Sequence, residues 1–236
     1  MFNPTPHLQV LPIGARHACY VIDDALLEPE RWVDYALGHR HAFEDSPHNA
    51  YPGPELRMPE PISAQLDAFF ATHVRALLGV RRTLRMYSRL ALATRAPHDL
   101  QPRQSLCHVD RLEVEPGQRL AASVLYLFRD ASLGGTSFYM PKKPMAEIAR
   151  LVQDSGAMAA EAFAAQYGVR PGYMTTSNAY FEKVMTVPAR WNRLIFYDGG
   201  VFHCGEILAP DKLSADPRSG RLTLNGFFVC KRSVAA

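Results

Sequence analysis

The stretch Leu106–Glu115, "LCHVDRLEVE", places a histidine and an aspartate two residues apart in a segment that otherwise reads as a β-strand. Residues i and i+2 of a strand point to the same face, with Cβ atoms roughly 7 Å apart. That spacing lets an imidazole and a carboxylate converge on one metal ion. It suits a surface ion pair equally well, so the meaning of His108 and Asp110 depends on what the rest of the chain brings to them.

From Leu84 onward the chain has the texture of a β protein. "LRMYSRLALAT", "RLAASVLYLF", "TSFYM", "YFEKVMTVPAR", "RLIFYDG" and "RLTLNGFFVC" are short β-rich runs separated by Gly, Pro, Asp and Asn turns. Six such runs predict a barrel or a double-sheet jelly roll. Upstream, "ACYVIDDALLEPERWVDYALGH" reads as a strand followed by a helix opening near Asp24. "EPISAQLDAFFATHVRALLGV" repeats apolar residues at helical spacing and stops at Gly79, and a Pro-rich loop joins the two. A further helical stretch, "MAEIARLVQDSGAMAAEAFAAQYG", interrupts the β runs at about 145–168 and ends at Gly168 with Pro171 beyond. The expectation is one domain, 1–236, mainly β with flanking helices (α+β). It has a helical N-terminal flank over 1–83 and a β core over 84–232 that carries the helical insert. The insert reads either as a lid over a site or as a packing element on the outer sheet.

Composition narrows the function classes. With 47% hydrophobic and 21% charged residues the chain is an ordinary globular sequence. A net charge of +3 with both signs dispersed gives no footprint for nucleic acid, and "RRTLR" (Arg81–Arg85) and "PKK" (Pro141–Lys143) read as solvated edges. The four cysteines, Cys19, Cys107, Cys204 and Cys230, contain no C-x-x-C pair and read as free thiols of a reducing cytoplasm. No uncharged apolar run of ~18 residues suggests a membrane span. His39, His41, His48 and His98 lie in helix ends and loops and read as surface residues.

Three features give the H-x-D pair weight. "RLIFYDGGVFHCGEI" carries His203 just beyond a β run and a Gly-Gly turn; "RLTLNGFFV" sets Arg221 at the head of an otherwise apolar strand; "SVLYLFRDASLGGTSFYM" is a strand, a turn with Gly134-Gly135 and a second strand. Two histidines and one carboxylate on one face of a metal, with open positions opposite, is the donor set of non-haem Fe(II) oxygenases. A nearby arginine then makes sense as a planar, permanently charged fork for a carboxylate-bearing cosubstrate. Zinc held by Cys107, His108, His203 and Cys204 is a poorer reading, because adjacent residues of a strand point to opposite faces.

The ordered set His108-x-Asp110, "YLF…LGGTSF", His203 and Arg221-x-Thr223 resembles the Fe(II)/2-oxoglutarate-dependent dioxygenase superfamily, in particular its prolyl 4-hydroxylase-like branch, over about Leu84 to Cys230. The resemblance implies a double-stranded β-helix core and the cofactors Fe(II), 2-oxoglutarate and O2. It further implies His108, Asp110 and His203 as iron ligands and Arg221 as the anchor of the distal 2-oxoglutarate carboxylate, with Tyr126, Thr223 and Thr136 beside it. His108, Asp110, His203 and Arg221 would then carry catalysis on a small-molecule or peptide substrate, in a monomer or homodimer. The intervals from Asp110 to His203 and from His203 to Arg221 are longer than in minimal members, which leaves the substrate mouth open to variation. A jelly-roll metal protein without this activity, of cupin-like kind, is the alternative reading.

Overall fold

The structure is a computed structural model in which residues 1–45, 50–110 and 115–233 are described. His48, the start of the Pro-rich loop at Pro47 and residues 111–114 of the "LCHVDRLEVE" stretch lie outside the described residues. Strands β1 (Leu8–Ile13) and β2 (His17–Ile22) are followed by α1 (Glu30–Gly38), β3 (Glu55–Arg57) and α2 (Glu60–His73). Then come β4 (Val80–Ala93), β5 (Gln118–Tyr126), β6 (Thr136–Pro141), α3 (Met145–Asp154), α4 (Ala160–Tyr167), β7 (Phe181–Val187), β8 (Leu194–Asp198), β9 (Phe202–Gly205) and β10 (Arg221–Arg232).

The strands form a seven-stranded sheet, ordered β1-β2-β8-β5-β10-β4-β3, and a three-stranded sheet, ordered β7-β6-β9. An isolated bridge between His108 and His203 adds the segment after Cys107 to the free side of β9. From β4 onward the chain visits the large sheet (β4), the small one (the His108 segment), the large (β5), the small twice (β6, β7), the large (β8), the small (β9) and the large again (β10). That alternation between two antiparallel sheets is a double-stranded β-helix, the jelly-roll arrangement expected from the β runs.

Strand β10 is the axis of the large sheet and is buried on both faces from Arg221 to Cys230. Its even-numbered residues Leu222, Leu224, Phe228 and Cys230 pack into one apolar cluster with Leu66 and Phe70 of α2, and the Phe70 and Phe228 rings lie 4.3 Å apart. The opposite face carries Arg221, Thr223, Asn225 and Phe227, which line a cavity between the sheets. A polar row on a doubly buried strand cannot be solvated from outside, so its hydrogen-bond partners lie within the fold or the cavity.

Three local features differ from the expectation. The first helix begins at Glu30, not near Asp24, because Asp24 takes a left-handed φ of 52° that no helix can start from. The insert is two helices, separated after Asp154 by a turn through Ser155 and Gly156. The segment around His108 is extended but is held by a single bridge and is not a strand in its own right. The N-terminal region is also more than a helical flank: it adds β1 and β2 to one edge of the large sheet and β3 to the other.

Asp23, at the end of β2, ties this addition to the core. It accepts from Arg193 Nε at 2.6 Å and Nη2 at 3.0 Å and from Arg190 Nη1 at 2.9 Å. The hydrogen bonds from Arg193 hold the Asp23 carboxyl below the usual carboxylate range, against a smaller opposing effect of burial. A carboxylate with a depressed folded-state pKa stabilises above its unfolded value of about 3.9 and loses that contribution as pH falls through the folded value. Asp23→Asn should therefore lower Tm at neutral pH by about 2–4 °C, as for a partly exposed bidentate pair of about 1 kcal/mol. Thermal melts from pH 7 to pH 2.5 should show the gap to wild type closing at the acid end.

Candidate metal centre and its cavity

His108 and His203 are joined by a reciprocal pair of backbone hydrogen bonds, 2.9 Å from His108 N to His203 O and 2.8 Å in the other direction. This narrow pair sets the two side chains beside one another, with ring centroids 4.6 Å apart. Asp110 is placed differently. Its amide donates to the Gly199 carbonyl at 2.9 Å, in the turn between β8 and β9, which draws the carboxylate beneath that turn. A Cβ at Gly199 would lie 2.9 Å from Asp110 Oδ2, so the glycine keeps the space the carboxylate occupies.

One donor atom from each of His108, Asp110 and His203 lies within 4.8 Å of the others. His203 Nδ1 sits 2.9 Å from the Val201 carbonyl, which fixes Nδ1 as the protonated nitrogen and leaves Nε2 with its lone pair directed inward. Nε2 is 3.7 Å from Asp110 Oδ1, and both side chains are under 10% exposed, at 6% and 8%. Asp110 Oδ2 is buried with no hydrogen-bond partner among the described residues. Burial pushes the Asp110 carboxyl up, and the nearby His203 and Arg89 charges pull it back. A buried carboxylate oxygen without a donor, beside two imidazoles, fits a divalent cation, which would supply the missing positive charge.

The cysteines do not join this set. Cys107 and Cys204 sit in a separate apolar cluster with Tyr139, Phe181 and Phe202, and burial pushes the Cys204 thiol up to about 12. All four cysteines are free and buried.

The three donors open on a cavity of about 340 Å³. Small-molecule sites start at about 300 Å³, so this is the size of a site for small metabolites. Arg221 lines it at 3% exposure. Its Nε lies 3.0 Å from the Leu133 carbonyl and its Nη2 2.8 Å from that of Gly135, while Phe128 lies under the guanidinium at 5.5 Å. Among the described residues no carboxylate is within ion-pair distance of Arg221. The Gly134-Gly135 turn that supplies these carbonyls depends on glycine: Gly134 has φ +76°, and a Cβ there would lie 1.4 Å from the Glu206 carbonyl oxygen.

Thr136 and Thr223 line the same cavity. Tyr126 is fully buried behind it, with its hydroxyl donating to Thr136 Oγ1 at 2.8 Å. The phenol that does reach Arg221 and Thr223 is Tyr51, from the loop before β3; burial raises its pKa and the Arg221 charge opposes the rise. The insert forms part of the wall: Ile148 and Leu151 of α3 are packed in the apolar cluster, while Val152, Ser155 and Gly156 line the cavity.

Residues 4–228 match a family described as a family of unknown function (DUF6445). The chain belongs to that family. For this DUF6445 chain, no curated protein is a match. Its fold is similar to three solved structures. A prolyl-4-hydroxylase from Pseudomonas putida is 14% identical with a TM-score of 0.44, over 92% of this chain and 94% of that one. HygX from Streptomyces hygroscopicus, solved with nickel and 2-oxoglutarate bound, is 14% identical with a TM-score of 0.46, over 89% and 82%. An N-substituted L-amino acid dioxygenase from Burkholderia ambifaria is 13% identical with a TM-score of 0.40, over 96% and 95%. At such identities and scores the DUF6445 site must be read from its own geometry. Among the described residues no helix is long and apolar enough to cross a membrane.

Replacing the buried, unpartnered carboxylate should separate folding from metal binding. Asp110→Asn is expected to raise the Tm of the metal-free protein by a few degrees, because an unsatisfied buried charge costs about 1–3 kcal/mol. The same variant should lose the further rise in Tm that a divalent metal gives the wild type. Scanning calorimetry in chelator and then in added Ni(II) reads both effects.

Proposed function

We propose that this protein is an Fe(II)- and 2-oxoglutarate-dependent oxygenase of prolyl 4-hydroxylase-like kind, hydroxylating a small molecule or peptide with O2 and releasing succinate and CO2. One observation carries the reading. The same cavity holds a His108–Asp110–His203 donor set and, on its floor, a buried arginine that no carboxylate among the described residues neutralises.

A buried guanidinium that meets carbonyls, a ring and the Tyr51 phenol, and no carboxylate among the described residues, is costly unless an anion joins it. Its carbonyl partners occupy Nε and one Nη2 hydrogen and hold the planar group fixed, so the remaining donors are pre-aimed at a ligand carboxylate. Thr136 and Thr223 offer hydroxyls beside that carboxylate, and Tyr126 fixes the Thr136 hydroxyl from behind. The other end of a dicarboxylate would lie toward His108, Asp110 and His203. Bound iron would supply the activation of O2 and the paired oxidation of 2-oxoglutarate and substrate. Leu106, Val109, Ile207 and Phe227 give the cavity apolar walls that limit water around the reacting groups.

Anaerobic titration of Fe(II)-loaded protein with 2-oxoglutarate should produce a weak visible metal-to-ligand charge-transfer band. Arg221→Gln should shift its midpoint to roughly thirtyfold higher 2-oxoglutarate or more, as for loss of one partner of a buried charge pair. Bound iron with no band would favour the alternative, a jelly-roll metal protein of another kind. An unshifted midpoint in Arg221→Gln would place the cosubstrate carboxylate on another residue.

A further inference from the structure

The floor of the cavity carries a second arginine that the cosubstrate reading does not use. On β4, Tyr87 and Arg89 face inward, and the antiparallel register sets them against Phe227 and Asn225 of β10. The Tyr87 and Phe227 rings stack at 4.9 Å with an interplanar angle of 22°. The Arg89 guanidinium lies over Phe227 at 4.7 Å, and Arg57 lies over Tyr87 at 5.0 Å. This is a flat aromatic surface edged by guanidinium groups.

Arg89 is only partly engaged. Its Nη1 donates to Glu55 Oε2 at 2.6 Å, while its Nε is buried with no hydrogen-bond partner among the described residues. A merely structural pair between neighbouring strands would not require a buried cationic N–H to stay unbonded beside a cavity.

Position separates this arginine from the cosubstrate anchor. Asn225, the register partner of Arg89, is four residues beyond Arg221, which is roughly 13 Å along the sheet. The two guanidinium groups have separate settings, Arg221 on the Gly135 carbonyl and Phe128, Arg89 on Glu55 and Phe227. A second cavity, lined by Glu44, Glu55, Arg57, Tyr87 and Arg89, shares Tyr87 and Arg89 with the first and leaves room for a ligand body beyond the guanidinium.

We infer that Arg89, with the Tyr87–Phe227 stack, is a substrate subsite specific for a small carboxylate whose body is apolar and flat enough to lie on the rings. The inference rests on the oxygenase reading for calling that ligand the substrate; the anion subsite itself stands on its own geometry. Glu55 orients the guanidinium, Phe227 supports one face of it, and the free donors take the carboxylate.

Calorimetry and saturation-transfer NMR with two probe pairs, phenylacetate against phenylacetamide and hexanoate against hexanamide, test this. The protein is Ni(II)-loaded and saturated with 2-oxoglutarate, so that the Arg221 end is filled. Phenylacetate should bind best, and its amide roughly tenfold or more weaker, the loss of a charge-assisted pair. The double variant Glu55→Gln with Arg89→Gln, which leaves no buried charge unpaired, should keep 2-oxoglutarate affinity and erase the preference for acid over amide. Arg89→Lys, which keeps the ion pair, is the safeguard against misfolding and should lose most of the phenylacetate affinity. Equal binding of acid and amide, a preference untouched by both variants, or no binding by any probe would overturn the subsite. If 2-oxoglutarate itself fails to bind while phenylacetate binding in an Arg221→Gln background still depends on Arg89, the cosubstrate reading falls and the anion subsite remains.

Discussion

Two backbone hydrogen bonds, exchanged between His108 and His203, organise the site. They join the chain leaving β4 to β9, close the small sheet on that side and bring the two imidazoles side by side in one step. Everything else at the centre is positioned relative to this pair. Because the bond pattern is main-chain, the fold itself brings the two imidazoles together.

Close backbone approaches then place what the bridge cannot. Gly199 leaves space for Asp110, and Gly134 allows the turn beneath Arg221 to meet the Glu206 carbonyl. Both glycines stand in sequence as ordinary Gly-Gly turns, and turn formation alone would account for them. Their further role, making room for a ligand atom and a guanidinium-binding carbonyl, is visible only when strands distant in sequence are side by side. The same limit explains Tyr51 and Arg89. Tyr51 sits in a Pro-rich loop with no periodicity to read, and Arg89 lies a few residues from the exposed Arg81, Arg82 and Arg85, so its inward direction follows only from the register with Asn225.

What was legible had strong periodicity or unusual chemistry. The β runs from Leu84 onward alternate, turn at Gly, Pro or Asp, and become β4 to β8 and β10. The ordered set His108, Asp110, His203 and Arg221 was legible because a charged or metal-binding residue in an apolar β run needs a reason. Strand β1 was not, since Pro12 lies inside it and only its last residue is buried; it is the edge of the sheet, where proline is tolerated. The division of the insert was hidden by a single glycine in an otherwise helical pattern, and Gly156 is where the chain turns to meet Arg103, whose Nη2 donates to its carbonyl at 2.8 Å.

The distribution of polarity across β10 gives the energetic logic. A strand buried on both faces would be most stable if wholly apolar, and its α2-facing side is, with Leu222, Leu224, Phe228 and Cys230 closed against Leu66 and Phe70. The other side gives up that stability for Arg221, Thr223 and Asn225, and the partly satisfied Arg89 and Asp110 add to the deficit. Buried charges of this kind are retained where a ligand completes them. The apolar face and the charged face are therefore one design: α2 and the aromatic cluster beneath β10 make the sheet rigid enough to hold unsatisfied groups in place. Those groups in turn set two imidazoles and a carboxylate at one wall of the cavity and guanidinium groups along its floor.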